Sequence, residues 1–200
     1  MIRALAAALR GRRVVLRPLA ASDYDDWREV RRRCADWLTP WEPVPGPGAT
    51  DVLDNPKAFA ARCGARERER QLGTGYGFGI FVDGRFAGEI NISNVVRGAM
   101  QSCTVGYWID EAQAGKGYTP EAFVVVLRFA FEELGLHRVE IGVIPRNTAS
   151  RRVAAKLGLR EEGLAERFLQ INGVWEDHIR YGITVEEWDD RRADYADTWL

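Results

Sequence analysis

The sequence predicts an α/β fold built on a mixed sheet. Three observations carry that reading. Strand-like apolar runs and helical patterns follow one another in mixed order. Two-residue turn signals, Asp83-Gly84 and Asn172-Gly173, sit between β-like runs as they do in hairpins. An apolar run at 105–109 meets a glycine-rich turn that opens straight into a helix.

Taken in order, residues 14–18 read as a first strand. Ser22-Asp23 is a cap signal for a helix to about residue 34. Residues 40–47 form a proline-rich loop near Trp37 and Trp41. Asn55-Pro56 places a cap and then a first-turn proline ahead of a helix to about residue 70. Strands are expected at 76–82 and 85–94, and again at 101–109. The glycines at 73, 75, 77 and 79 have period two, which leaves one strand face bare for another backbone or a ligand. A helix from 119 to about 134, a strand at 139–143 and a helix ending at 156–159 come next. Strands at 164–171 and 174–184 form a last hairpin, and a helix from 185 to about 197 closes the chain.

Two hundred residues with 46% hydrophobic content are read as one domain over 1–200. A net charge of -1 makes no electrostatic case for nucleic acid or a membrane surface. Arginines at 62, 66, 68 and 70 alternate with Glu67 and Glu69 and read as a solvated helix face; those at 28, 31, 32 and 33 read first as surface, or else face an acidic partner. Cys34, Cys63 and Cys103 lie far apart with no paired spacing, so neither a zinc site nor a disulfide framework is indicated. His137 and His178 are too few for a typical histidine metal site, and no metal is expected. The run at 4–9 is too short for a secretory or spanning segment and reads as a frayed helix. A cytoplasmic protein is expected, a monomer or homodimer.

Chemistry concentrates at Gly115-Lys116-Gly117-Tyr118-Thr119. A strand-to-helix turn leaves backbone N–H groups unpaired at the positive end of a helix dipole, a setting suited to phosphate oxygens. The P-loop spacing fails because Tyr118 follows Gly117, and the dinucleotide spacing fails because position 120 is Pro120.

The ordered set of this loop, its helix, the 139–143 strand, Pro145-Arg146-Asn147-Thr148-Ala149-Ser150 and the Lys156-Leu157-Gly158 helix end resembles the GNAT superfamily of N-acetyltransferases. It is most similar to the RimJ/RimL group, which acetylates ribosomal-protein N-termini. Trp37-Leu38-Thr39-Pro40-Trp41-Glu42-Pro43, residues 91–98 and Ile171-Asn172-Gly173-Val174-Trp175-Glu176-Asp177-His178 add to the likeness, which spans about 12–188. One departure stands out. The superfamily loop begins with glutamine or arginine and ends with glycine or alanine, whereas Ala114 and Thr119 hold those places here.

The resemblance implies a mostly antiparallel mixed sheet with a splayed strand pair and helices on both faces. It implies acetyl-CoA as cosubstrate, bound at Trp108, Ile109, Gly115, Lys116, Gly117, Tyr118, Thr119 and Asn147. Ser150 takes the place of a proton donor to the leaving thiol, or else caps its helix. Glu89 is a candidate to hold a water near the amine, or else a strand ion pair. Trp37, Trp41 and Glu42 border the acceptor, or else pin their loop. The tyrosine many members carry is replaced by Ala154.

The expected reaction is acetyl transfer from acetyl-CoA to a primary amine, first of all a protein N-terminus. Freeing an α-amine at neutral pH costs under roughly 1 kcal/mol, against about 4 for lysine, so a weak base suits the α-amine. Acetylation of a small amine, such as an antibiotic or polyamine, and a coenzyme-binding module without turnover are the alternatives.

Overall fold

Both turn signals close as the sequence predicts. Asp83 and Asn172 take left-handed φ values of 49° and 46°, followed by Gly84 at 76° and Gly173 at 82°. The computed structural model describes residues 8–44, 46, 48 and 50–200. Its strands are β1 (Leu9–Arg10), β2 (Val14–Arg17), β3 (Tyr76–Val82), β4 (Arg85–Val96), β5 (Ser102–Ile109), β6 (Arg138–Val143), β7 (Arg160–Ile171) and β8 (Val174–Thr184). They form one eight-stranded sheet in the order β1-β2-β3-β4-β5-β6-β8-β7. Every neighbouring pair is antiparallel except β5 with β6.

That parallel contact is brief. Only Ser102, Cys103 and Thr104 pair with Arg138, Val139 and Glu140. Beyond Thr104 the two strands part, while β5 stays paired with β4 as far as Ile109 opposite Gly88. This is the splay the resemblance implies.

Helices cover both faces. On one side lie α1 (Tyr24–Arg33), α2 (Ala35–Leu38) and α3 (Pro56–Leu72). Trp27, Val30, Leu38 and Phe59 pack there against Phe81 and Phe86 of the sheet. On the other lie α4 (Tyr118–Arg128), α5 (Thr148–Lys156) and α6 (Val185–Trp199), whose Phe123, Ala154 and Trp188 enter the larger core. Residues Phe123 to Leu127 of α4 are at most 1% exposed. Three successive valines are poor helix formers, and burial on all sides overrides that preference. The helix expected to reach about 134 does so, its last turn, Phe129–Glu133, being π-helical.

Other expectations shift. Asn55 caps α3 as predicted, accepting from Lys57 and Ala58 N–H. Asp23 instead accepts from Ala20 N–H at 2.8 Å and pairs with Arg17, so it closes a 3-10 turn (Ala21–Asp23) ahead of α1. The proline-rich loop is preceded by helix: Trp37 lies in α2 and Trp41 in a 3-10 turn (Thr39–Trp41), and residues 42–44 beyond it carry neither helix nor strand. The bare face of β3 is filled by this chain's own side chains. A Cβ at Gly77 would meet Arg66, and one at Gly79 would meet Leu19 at 2.6 Å. β7 begins four residues earlier than the sequence suggests. The expected N-terminal helix falls partly outside the described residues, and at its end Leu9 and Arg10 pair as β1 with Leu16 and Val15. The closing helix forms, with Thr184 and Glu187 as a capping box.

The outer strand β7 is irregular. Its register with β8 shifts between Glu161 and Gly163 and between Ala165 and Leu169. Almost all of its residues are exposed.

Candidate active site

The glycine-rich turn sits where β5 leaves the sheet. Asp110 ends the strand and accepts from Ala112 N–H at 2.9 Å, starting a 3-10 turn (Glu111–Gln113). Its carboxylate also takes two bonds from Arg33, at 2.8 and 3.0 Å. Hydrogen bonding to Arg33 holds the Asp110 carboxyl below the usual carboxylate range, against the opposing effect of burial. The strand-to-loop corner is thereby fixed to α1.

Gly115 and Gly117 adopt left-handed φ values of 78° and 87°, and Gly117 leads into α4. No backbone acceptor among the described residues takes the N–H groups of 115–119. These donors point out at the helix start, as anion binding requires. Arg13 donates to the Lys116 carbonyl at 3.0 Å, and the buried Glu121 takes Arg13 N–H, Val14 N–H and Arg13 Nε. β2 thus anchors the first turn of α4. Lys116 Nζ rests on Gln113 Oε1 at 3.0 Å. Arg152 and Lys156 of α5 line the same hollow as Gly115, Gly117 and Thr119. The sequence reading missed these two cations, whose i,i+4 spacing on one helix face was the available signal. Donors, left-handed glycines and cations together fit a diphosphate.

A cavity of about 390 Å³ continues from this hollow along β5. It is lined by Trp37, Trp41, Trp108, Ile109, Asn147 and Ser150, among others. Asn147 caps α5 by accepting from Ser150 N–H at 3.0 Å. The Ser150 hydroxyl does not cap its helix; it lies 2.7 Å from the phenol of Tyr107. Burial pushes the Tyr107 phenol up to about 12, so it stays protonated at any working pH. Tyr107 also escaped the sequence reading, because a strand tyrosine carries no motif. Ala154, where a helical tyrosine was sought, is fully buried.

A second cavity, of about 300 Å³, shares Trp41, Tyr107, Asn147 and Ser150 with the first. It also reaches Gly142, Ile171 and His178. The two spaces meet where β5 and β6 have parted, so the opening passes from one face of the sheet to the other.

The remaining expected residues take defined places. Trp37 Nε1 donates to the Ile109 carbonyl at 3.2 Å. Trp41 stacks on the Arg146 guanidinium, 4.8 Å from its ring centre. Glu42 is held by Arg31 through bonds of 2.5 and 2.7 Å, so its charge is already matched. The Glu42 carbonyl accepts from Asn172 N–H at 2.8 Å, docking the β7–β8 turn on the tryptophan segment. Glu89 is 3% exposed and lines neither cavity. Trp27 Nε1 and Arg62 occupy its two oxygens. Among the described residues no cluster of His, Cys, Asp and Glu could hold a metal ion, and no helix is long and apolar enough to cross a membrane.

Comparison with known proteins agrees with this geometry. A family model described as an acetyltransferase (GNAT) domain matches residues 13–160. The probable N-acetyltransferase YjcK of Bacillus subtilis is 36% identical over 172 residues, covering 85% of this chain and 93% of that protein. The ribosomal protein uS5-alanine N-acetyltransferase of Escherichia coli is 32% identical over 170 residues, covering 83% and 86%. RimJ of Mycobacterium smegmatis, solved in complex with CoA-disulfide, superposes with a TM-score of 0.84 at 34% identity, covering 94% of this chain and 93% of that one.

Proposed function

The chain belongs to the GNAT acetyltransferase family, whose reaction uses acetyl-CoA, and we propose that its acceptor is the α-amine of a protein N-terminus, a ribosomal protein first of all. The observation that carries the reading is the passage through the sheet at the parting of β5 and β6, with Tyr107 and Ser150 at its throat. Coenzyme phosphates held by the amides of 115–119 on one face leave the acetyl group within that passage. The amine then arrives from the face of α1 to α3. Trp108, Ile109 and Asn147 border the arm of the coenzyme, and Trp37 and Trp41 border the acceptor.

The two carboxylates beside these cavities are paired. Glu42 is matched by Arg31 and Glu176 by Arg146. A polyamine or aminoglycoside needs unpaired carboxylates, so the cleft suits a peptide better. Such an enzyme works where ribosomal proteins are made, in the cytoplasm.

Ser150 supplies the proton that the departing thiolate takes, and Tyr107 holds the hydroxyl in line. A thiol of pKa about 8.5 needs only modest help to leave. The test is a peptide array with acetyl-CoA and mass-spectrometric mapping of modified sites. Peptides with a free N-terminal alanine should be acetylated at the α-amine. A preference for internal lysines or for polyamines overturns this acceptor.

A further inference from the structure

We propose that His178 is the general base that takes the proton of the incoming amine. The inference rests on the acetyl transfer argued above and adds the group that transfer lacks.

His178 lies on β8 and is 3% exposed. Its neighbours Ile179, Tyr181 and Ile183 alternate into the core beneath α4 to α6. By strand alternation His178 faces the opposite side, that of α1 to α3, from which the amine arrives. Its Nδ1 lies 3.0 Å from the Glu176 carbonyl. A carbonyl only accepts, so that nitrogen carries the ring proton and Nε2 keeps a lone pair. Among the described residues nothing hydrogen-bonds Nε2, and the ring lines the second cavity with Tyr107 and Ser150. The imidazole is held in place. Phe168 packs against it with ring centres 5.7 Å apart, and Gly142 lies directly beside it, a Cβ there falling in ordinary contact at 3.4 Å from His178 Cδ2. The nearby charges are matched: Arg180 with Glu140 and Arg146 with Glu176. Tyr107 and Ser150 are neutral. Glu89, the other candidate, has both oxygens engaged outside this cavity.

Base and acid then stand on opposite faces of one sheet. An ammonium group gives one proton to His178 Nε2. The freed nitrogen attacks the thioester carbon; the N–C bond forms and the C–S bond breaks, its electron pair remaining on sulfur. The second N–H proton reaches that sulfur by way of Ser150, and the imidazolium returns its proton to solvent. One proton is released per turnover.

The experiment compares wild type with His178→Gln and His178→Ala, on α-amine peptides and on lysine and polyamine acceptors in parallel. Each variant's kcat should fall about 100-fold or more, with the KM for acetyl-CoA within about threefold. The acid limb of the kcat/KM profile should vanish, and free imidazole should restore turnover in His178→Ala. In the wild type, nitrogen NMR should show an unprotonated Nε2 in the neutral ring, a readout that needs no variant to fold. An unchanged rate and acid limb in His178→Gln, or a neutral ring protonated at Nε2, overturns the proposal. Transfer only to lysine or polyamine overturns the acceptor and leaves the His178 comparison standing on that substrate. Transfer to no amine overturns both.

Discussion

Removing the Glu121 carboxylate should loosen the glycine-rich loop from beneath. Its side chain is 1% exposed and receives two backbone amides and one guanidinium nitrogen from Arg13 and Val14. Glu121→Ala strips the acceptor from two amides at once. Each orphaned amide costs about 1–3 kcal/mol, so the pair amounts to about 4 kcal/mol. The Arg13 side chain is 44% exposed, and its ion pair adds little to that sum. For a chain of this length a loss of that size lowers the melting temperature by about 8–16 °C. Glu121→Gln keeps an oxygen for the amides but turns an NH2 toward Arg13 Nε, and should cost about half as much. Calorimetric melting of both variants gives the stability term. Titration with acetyl-CoA at a temperature where both stay folded gives the coupling to the loop, through the Arg13 bond to Lys116. A melting shift below about 3 °C for Glu121→Ala would refute the reasoning, since the orphaned amides would then have found water or another acceptor.

Gly117→Ala imposes a left-handed φ on a residue with a Cβ, a cost of about 1–2 kcal/mol, and brings that Cβ to 3.2 Å from Arg13 Nη2. Acetyl-CoA should bind roughly 5–30-fold more weakly by calorimetry. Tyr107→Phe should lower kcat with no change in the shape of the pH profile below about pH 9, because a phenol raised to about 12 does not titrate there; a new inflection in that range would contradict the burial argument. Asp110 has a depressed pKa in the fold. Its stabilisation is therefore present above the unfolded value of about 3.9 and is lost as pH falls through the folded value. Melting temperatures of wild type and Asp110→Asn should differ at neutral pH and converge in acid; parallel curves down to about pH 2 would exclude the pairing with Arg33 as the source.

Local signals carried much of the fold. Asn172-Gly173 and Asp83-Gly84 need left-handed backbone that few other pairs tolerate, and Asn55-Pro56 matches a helix start in both cap and ring. The glycine-rich turn was legible for the same reason, since Gly115 and Gly117 mark left-handed backbone between a strand end and a helix. What escaped the sequence depends on contacts distant in the chain. Tyr107 and Ser150 are forty-three residues apart, and nothing near either one marks the other. Glu89 looked free because Trp27 and Arg62 reach it from separate helices. Glu42 reads as available in the sequence, whereas Arg31 of α1 holds both its oxygens. The helical turn at Thr39–Trp41 was hidden by its proline, which reads as a loop but here occupies a first-turn position.

The two rims of the sheet are blunted by different means. β1 is two residues long, too short to template another strand. β7 is long, exposed and carries Leu164, Phe168 and Leu169 on its surface, the composition that invites runaway β-stacking between molecules. Its two register shifts twist the backbone out of plane, and Arg160, Glu161, Glu162, Glu166 and Arg167 interleave both signs of charge along it. A straightened, neutralised β7 would be an aggregation hazard; the kinks act as gatekeepers that keep a sticky rim from growing into a fibril.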